Sequence, residues 1–183
     1  MQFRLNPIYK LGAYGSVLCL CLICGLITLQ VVGRLIDKLL LSLGHDSLGL
    51  EIPGLSEASG FLLVGVSFLG LAYTFVNGGH IRVTLLIGRL GPKARAFVEL
   101  GCLSIALALC SYLAWNSFWL VEDSLAFDEV SYGILRVPLW IPQAAMLSGI
   151  VLFCLSLLEA WLDVLVTALL RPSTFQANDT GHE

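Results

Sequence analysis

Cys21 and Cys24 form a CxxC string, the spacing of thiol–disulfide exchange. That chemistry needs a thiolate, which forms in electropositive, partly exposed surroundings. Both residues lie near the middle of a long uncharged run, and no second pair waits downstream to exchange with them. Cys19, Cys102, Cys110 and Cys154 also lie in uncharged runs. All six are expected to be free thiols acting as small apolar residues. His45, His80 and His182 could ligate haem or zinc. All three fall outside the apolar runs, where a transmembrane cytochrome would need its axial ligands. No further ligands cluster around His80, and zinc takes three or four. Glu159 and Asp163, four apart near the end of the last apolar run, share a helical face. They either reach the membrane headgroups or partner the basic middle loop or another subunit. No catalytic, cofactor or metal site is expected.

The elements that hold these residues are four charge-free runs, Leu11–Gly33, Ala58–Gly79, Leu100–Val121 and Val137–Leu158. Each is about 22 residues, or roughly 33 Å as a helix, enough to cross a hydrocarbon core of about 30 Å. In lipid every backbone polar group must be bonded within its own segment, so the runs are helices. The fold class predicted is an all-α membrane protein with spans at about 11–33, 58–79, 98–121 and 138–162. Residues 1–183 form one domain, with 171–183 a short cytoplasmic tail. Charged residues are only 13% of the chain, and no connection is long enough for a soluble domain. The first span is longer than a signal-peptide core and is expected to be retained.

Charge sets the orientation. Arg4, Lys10, Arg82, Arg89, Lys93, Arg95 and Arg171 stand on one side; Arg34, Lys38 and Arg136 stand on the other. The positive-inside rule then places both termini and the middle connection in the cytoplasm. The other two connections are acidic, with Asp37, Asp46, Glu51 and Glu57 in one and Glu122, Asp123, Asp128 and Glu129 in the next. Nothing points to nucleic acid.

Past Gly33 the first helix is expected to run on to Leu43 and stop at Gly44. Ser56 is expected to cap the second span. His80–Leu90 reads as a short amphipathic interfacial helix, with Arg82 and Arg89 on one face and Ile81, Leu85 and Leu86 on another. Pro138 and Pro142 are placed in the first turns of span four, with Trp140 as an interfacial anchor. Gly70, Thr74 and Gly78 on span two, and Cys102, Ala106, Cys110 and Ala114 on span three, repeat small residues every four positions. Such rows let helices approach closely in lipid, within the bundle or at another subunit. The spans lack the mid-depth glycine and proline breaks that mark transporter substrate sites.

The string Gly65-Val-Ser-Phe-Leu-Gly70-Leu-Ala72, then Gly79-His80-Ile81-Arg82-Val83 with Leu85-Leu86 following, resembles the small membrane (Q) subunit of tripartite ATP-independent periplasmic (TRAP) transporters, the DctQ-like small permeases. Members carry a Gly-x-His-Ile-x-Val-like string after the second of four spans, which Gly78–Val83 fits. Glu57 matches an acid that often opens that span, and Pro138, Trp140 and Pro142 match the family's entry into the last. Asn77 and Thr84 depart from it, standing where the family often has a base and an acid. The similarity covers roughly residues 11–168.

The resemblance implies a non-enzymatic subunit in the inner membrane. It would brace a large permease subunit during ion-gradient-driven uptake of an organic acid delivered by a periplasmic binding protein. Gly79, His80, Ile81, Arg82, Val83 and Arg89 would hold the middle loop at the inner interface. Two other classes compete. A quinone-linked thiol redox protein would need loop cysteines, and a self-contained small exporter would need a mid-span acid.

Overall fold

A computed structural model describes residues 5–46, 48–78 and 92–170, with side chains of the last segment from 97 to 166. The described chain is helical apart from one isolated β-bridge. Four of its helical segments are long and apolar enough to cross a membrane. They are α1, Asn6–Ser42; α2 with its continuation α3, Leu55–Leu69 and Leu71–Val76; α4, Pro92–Ala126; and α5, Trp140–Leu170. The predicted interfacial helix at His80–Leu90 lies outside the described residues, as does the tail.

α1 has 37 residues, about 55 Å, so it overhangs any bilayer it crosses. Its end is set by Gly44 at φ 79°. The His45 N–H reaches back to the Leu40 carbonyl and the Gly44 N–H to Leu41. This double bond around a left-handed residue is the Schellman closure, open to glycine at little cost.

The second span begins earlier than its hydropathy suggested, at Leu55. Its cap is Gly54 at φ 78°, with no side-chain bond, so Ser56 is inside the helix rather than capping it. The span is also not continuous. At Gly70 the helix misses one step, and the Gly70 N–H no longer holds the Val66 carbonyl. Ser16 of α1 donates its hydroxyl to that carbonyl at 2.9 Å instead. A freed backbone group in lipid is tolerated where a neighbouring Ser or Thr satisfies it.

Pro138 is not in span four. It pairs with Val130 in an antiparallel bridge, and α5 starts at Trp140 with Pro142 in its first turn. The bridge is held by Ser131 N–H to the Val137 carbonyl and Leu139 N–H to the Glu129 carbonyl. The two residues facing each other use no N–H of their own, so proline fits there without loss.

The helices run up and down in a row rather than a closed ring. α1 packs on α2 and α3; these pack on α5; α5 packs on α4. α5 is the interior member, with a third of its apolar window buried, while none of the windows of α1 or α4 is. Both termini of the described chain, the end of α3 and the start of α4 lie at one end, here the termini end. The Leu43–Gly54 and Phe127–Leu139 connections form the other, the connection end.

Candidate functional site

Four places combine geometry with chemistry. The first is the crossing of α1, α2 and α5. Gly12, Ser16 and Cys19 fall on one face of α1 and meet Leu69, Gly70 and Gly65 of the second span. A Cβ on Gly12 would stand 2.7 Å from the Leu69 carbonyl oxygen, and one on Gly65 would stand 2.9 Å from the Cys19 sulfur. From the other side Gly149 of α5 presses on Phe68, where a Cβ would lie 2.4 Å from the carbonyl carbon. The helix break at Gly70 is thus gripped from both sides by residues without bulk. Lipid-buried helices associate through such close approach, since hydrocarbon supplies no hydrophobic push between them.

The second is at the termini end. Tyr9 is wholly buried, and its hydroxyl donates to Glu159 Oε2 at 3.0 Å. The bond links α1 to α5, which otherwise only brush each other. Two residues on, Trp161 Nε1 donates to Ser104 Oγ at 2.9 Å, linking α5 to α4. Asp163 is exposed and Glu159 half-buried. The two share a helix but not a role: Glu159 accepts an internal bond, while Asp163 faces outward.

The third is the connection end. Arg34 pairs with Glu51. Asp37 accepts the N–H groups of Leu48 and Leu50, each at 2.9 Å. The backbone of Leu50 crosses directly over Gly33. Asp37, which interrupts the apolar run of α1, therefore folds the first connection onto the helix. Glu57 does the same for the second connection, accepting the Leu135 N–H at 3.3 Å. Gly133 lies so close to that carboxylate that a Cβ would collide with it.

The fourth is the face of α4 turned away from α5. Tyr112 is 71% exposed and Trp115 62%. Trp115 and Trp119 meet edge to face, with ring centroids 5.9 Å apart. Asn116, also exposed, spends its amide on the Tyr112 carbonyl of its own helix.

The small-residue rows are placed as follows. Gly70 is at the α1 crossing. Thr74 is exposed and bonds back to the Gly70 carbonyl at 2.7 Å. Gly78 is an exposed turn residue at φ 76°, after α3 has ended. On α4, Cys110 lies within hydrogen-bond reach of Cys154 on α5. Ala106 and Ala114 are half-buried and Cys102 is exposed. All six cysteines are free, with Cys21 and Cys24 both on the exposed surface of α1. Trp140 is exposed at the start of α5, and Pro142 is buried. Gly79, His80, Ile81, Arg82, Val83 and Arg89 lie outside the described residues. Among the described residues no three potential metal ligands cluster.

Sequence reasoning missed Tyr9, Gly12, Ser16 and Gly149. The 12, 16, 19 spacing on α1 was readable as a small-residue face. Nothing local marked Tyr9, whose partner is 150 residues away.

The family model described as tripartite ATP-independent periplasmic transporters, DctQ component, matches residues 23–167. No curated protein matches the chain, and no solved structure does. The matched stretch takes in the second half of α1 and reaches into the last turn of α5. The chain belongs to the DctQ family, the small permease components of TRAP transporters.

Proposed function

We propose that this chain braces the large permease subunit of its transporter in the bacterial inner membrane, and itself moves no substrate. The transporter takes up an organic acid by symport, driven by an ion gradient, after a periplasmic binding protein has captured it. The observation that supports this most is the row arrangement. α1 and α4 each spend one face inside the bundle and leave a long apolar face open. A row with two open flanks suits a partner of similar length better than a self-contained pore. The apolar runs of the first three spans hold no Asp, Glu, Lys, Arg or His, whereas carriers place costly intramembrane charges on their ion path.

In this reading the termini end is cytoplasmic. The warrant is the seven Lys/Arg at Arg4, Lys10, Arg82, Arg89, Lys93, Arg95 and Arg171, against Arg34, Lys38 and Arg136 at the connection end. His80, Arg82 and Arg89 hold the middle connection among lipid phosphates and perform no reaction. Arginine suits that place because its guanidinium bonds phosphate at two points while its stem stays in the apolar layer. The acidic connections face the binding protein.

The decisive test is reconstitution in liposomes under a sodium gradient, with the binding protein outside. The small chain alone should show no uptake, and the two membrane subunits together should show it. Uptake by the small chain alone would sink the bracing role. Orientation is checked separately with an impermeant thiol reagent in intact cells. A cysteine near Ser131, at the fully exposed Tyr132, should label, and one placed after Arg171 should not.

A further inference from the structure

The two connections at the connection end use their carboxylates differently. In the first, Asp37 and Glu51 are spent inside the chain, on the Leu48 and Leu50 N–H groups and on Arg34. In the second, Glu122, Asp123, Asp128 and Glu129 all stand exposed, and the same stretch holds one cation, Arg136. Glu129 accepts the Ser124 hydroxyl at 2.8 Å, a neutral partner that leaves its charge uncompensated.

The second connection also holds an apolar tip in a fixed posture. The bridge between Val130 and Pro138 closes the tip at its base. Within it, Gly133 lies against the Glu57 carboxylate. Leu135 donates its N–H to the same carboxylate, and its side chain lies against Gly54. The residues that alternate with these two stand clear. Tyr132 is fully exposed and Ile134 is 72% exposed. Phe127, where the connection leaves α4, is 76% exposed. An aromatic side chain carries about 150–250 Å² of surface, so the three together present on the order of 400 Å². The acids and Arg136 that flank them in sequence keep this segment out of hydrocarbon. Acyl chains therefore do not cover it.

We propose that this tip, and not the first connection, is the docking point for the soluble binding protein of the transporter. Tyr132 and Ile134 enter an apolar recess on that protein, and the four carboxylates face Lys and Arg on its rim. The inference rests on the reading of this chain as part of a binding-protein-dependent transporter with the connection end outward. Charge selects the occupant. Four acids against one arginine repel anionic headgroups and steer a basic protein surface toward the tip. Size agrees. A carrier that delivers its cargo and leaves needs less contact than the roughly 800 Å² per partner of a stable interface, and transient encounters lie at that low end. Posture agrees as well. Gly133 and Leu135 already hold the tip on α2, so docking has little freedom left to remove.

The test uses the full chain with its large subunit in nanodiscs of neutral lipid. Binding of the purified binding protein of the same transporter is followed by surface plasmon resonance. Tyr132→Ala should weaken binding at least tenfold, mostly through faster release, with the large subunit still recovered. Glu122→Gln combined with Asp123→Asn should slow association severalfold and flatten its dependence on salt. Unchanged affinity in Tyr132→Ala would overturn the proposal, as would a wild-type complex that captures no binding protein. A benzoylphenylalanine photoprobe at Ile134 names the neighbour directly. An adduct with the binding protein supports the docking point, and an adduct with the large subunit or with lipid overturns it. The bracing role is judged by uptake and the orientation by thiol labelling, so failure of either is told apart from failure of the docking point.

Discussion

α1 and α4 are both apolar helices on the flank of the row, yet they are held very differently. α1 is locked at the crossing by backbone contact: Gly12 on the Leu69 carbonyl and Ser16 on the Val66 carbonyl. α4 is held to α5 by side chains such as Trp161 to Ser104 and Cys110 beside Cys154, and it turns an aromatic face outward. The difference teaches where this bundle can change. A contact between backbones has no room to give, because interiors are close-packed and the neighbours cannot retreat. A face of exposed aromatics can be altered without touching the fold, and only a partner would notice.

The largest effect should come from filling the crossing. Gly149→Leu drives a side chain into the Phe68 backbone and should cost about 3 kcal/mol or more by overpacking. Gly101, with nothing within 4 Å, supplies the control. Gly101→Leu should be neutral to stabilising, since leucine is the better helix former. Thermal unfolding in detergent separates the two, and equal midpoints would erase the contrast between the crossing and α4.

Next in size is the Tyr9–Glu159 bond. Glu159→Ala leaves a fully buried hydroxyl without its acceptor and should cost about 1–3 kcal/mol. Glu159→Gln keeps an acceptor oxygen and should cost less. The same unfolding assay ranks them. If the two variants lose equal stability, Glu159 is acting through its charge and the hydrogen-bond account fails.

At the connection end, Gly133→Ala must push the Glu57 carboxylate off the Leu135 N–H. The expected cost is about 1 kcal/mol, the net worth of an ordinary hydrogen bond. It should appear first as faster amide exchange at Leu135. Unchanged exchange would mean the second connection is held by other contacts, such as Leu135 against Gly54.

The smallest effect on the chain's own stability should come from the α4 face. Trp115→Ala should stay within about 0.5 kcal/mol, as surface substitutions generally do. In the bracing role it should still reduce co-purification of the large subunit. Full recovery of the complex would turn that face toward lipid and sharpen the assignment onto α1.

The residues differ in how plainly they announced their places. Gly44 ends α1 as its sequence position predicts, because a left-handed helix stop is a local demand. Pro142 enters α5 for the same kind of reason. Pro138 and Ser56 misled because each has two cheap homes. A proline suits a first helical turn or a non-bonded bridge position, and the choice came from Ser131 and Val137 across the bridge. The hydroxyl of Ser56 was a plausible cap, but Gly54 could take the left-handed turn two residues earlier. The small rows were visible, yet spacing alone does not say which neighbour a row meets. Gly70 found Ser16, and Cys110 found Cys154.

By itself the sequence determined that four helices cross a membrane, and which family they belong to. Both follow from local causes: about 22 uncharged residues leave the backbone no other way to satisfy its polar groups in lipid, and a family string is read letter by letter. The tertiary structure decided the order of the row, the break at Gly70 and the burial of Tyr9 against Glu159. These depend on which helix lies beside which. In hydrocarbon one apolar face resembles another, so only the fit of small residues against particular backbones selects the neighbour.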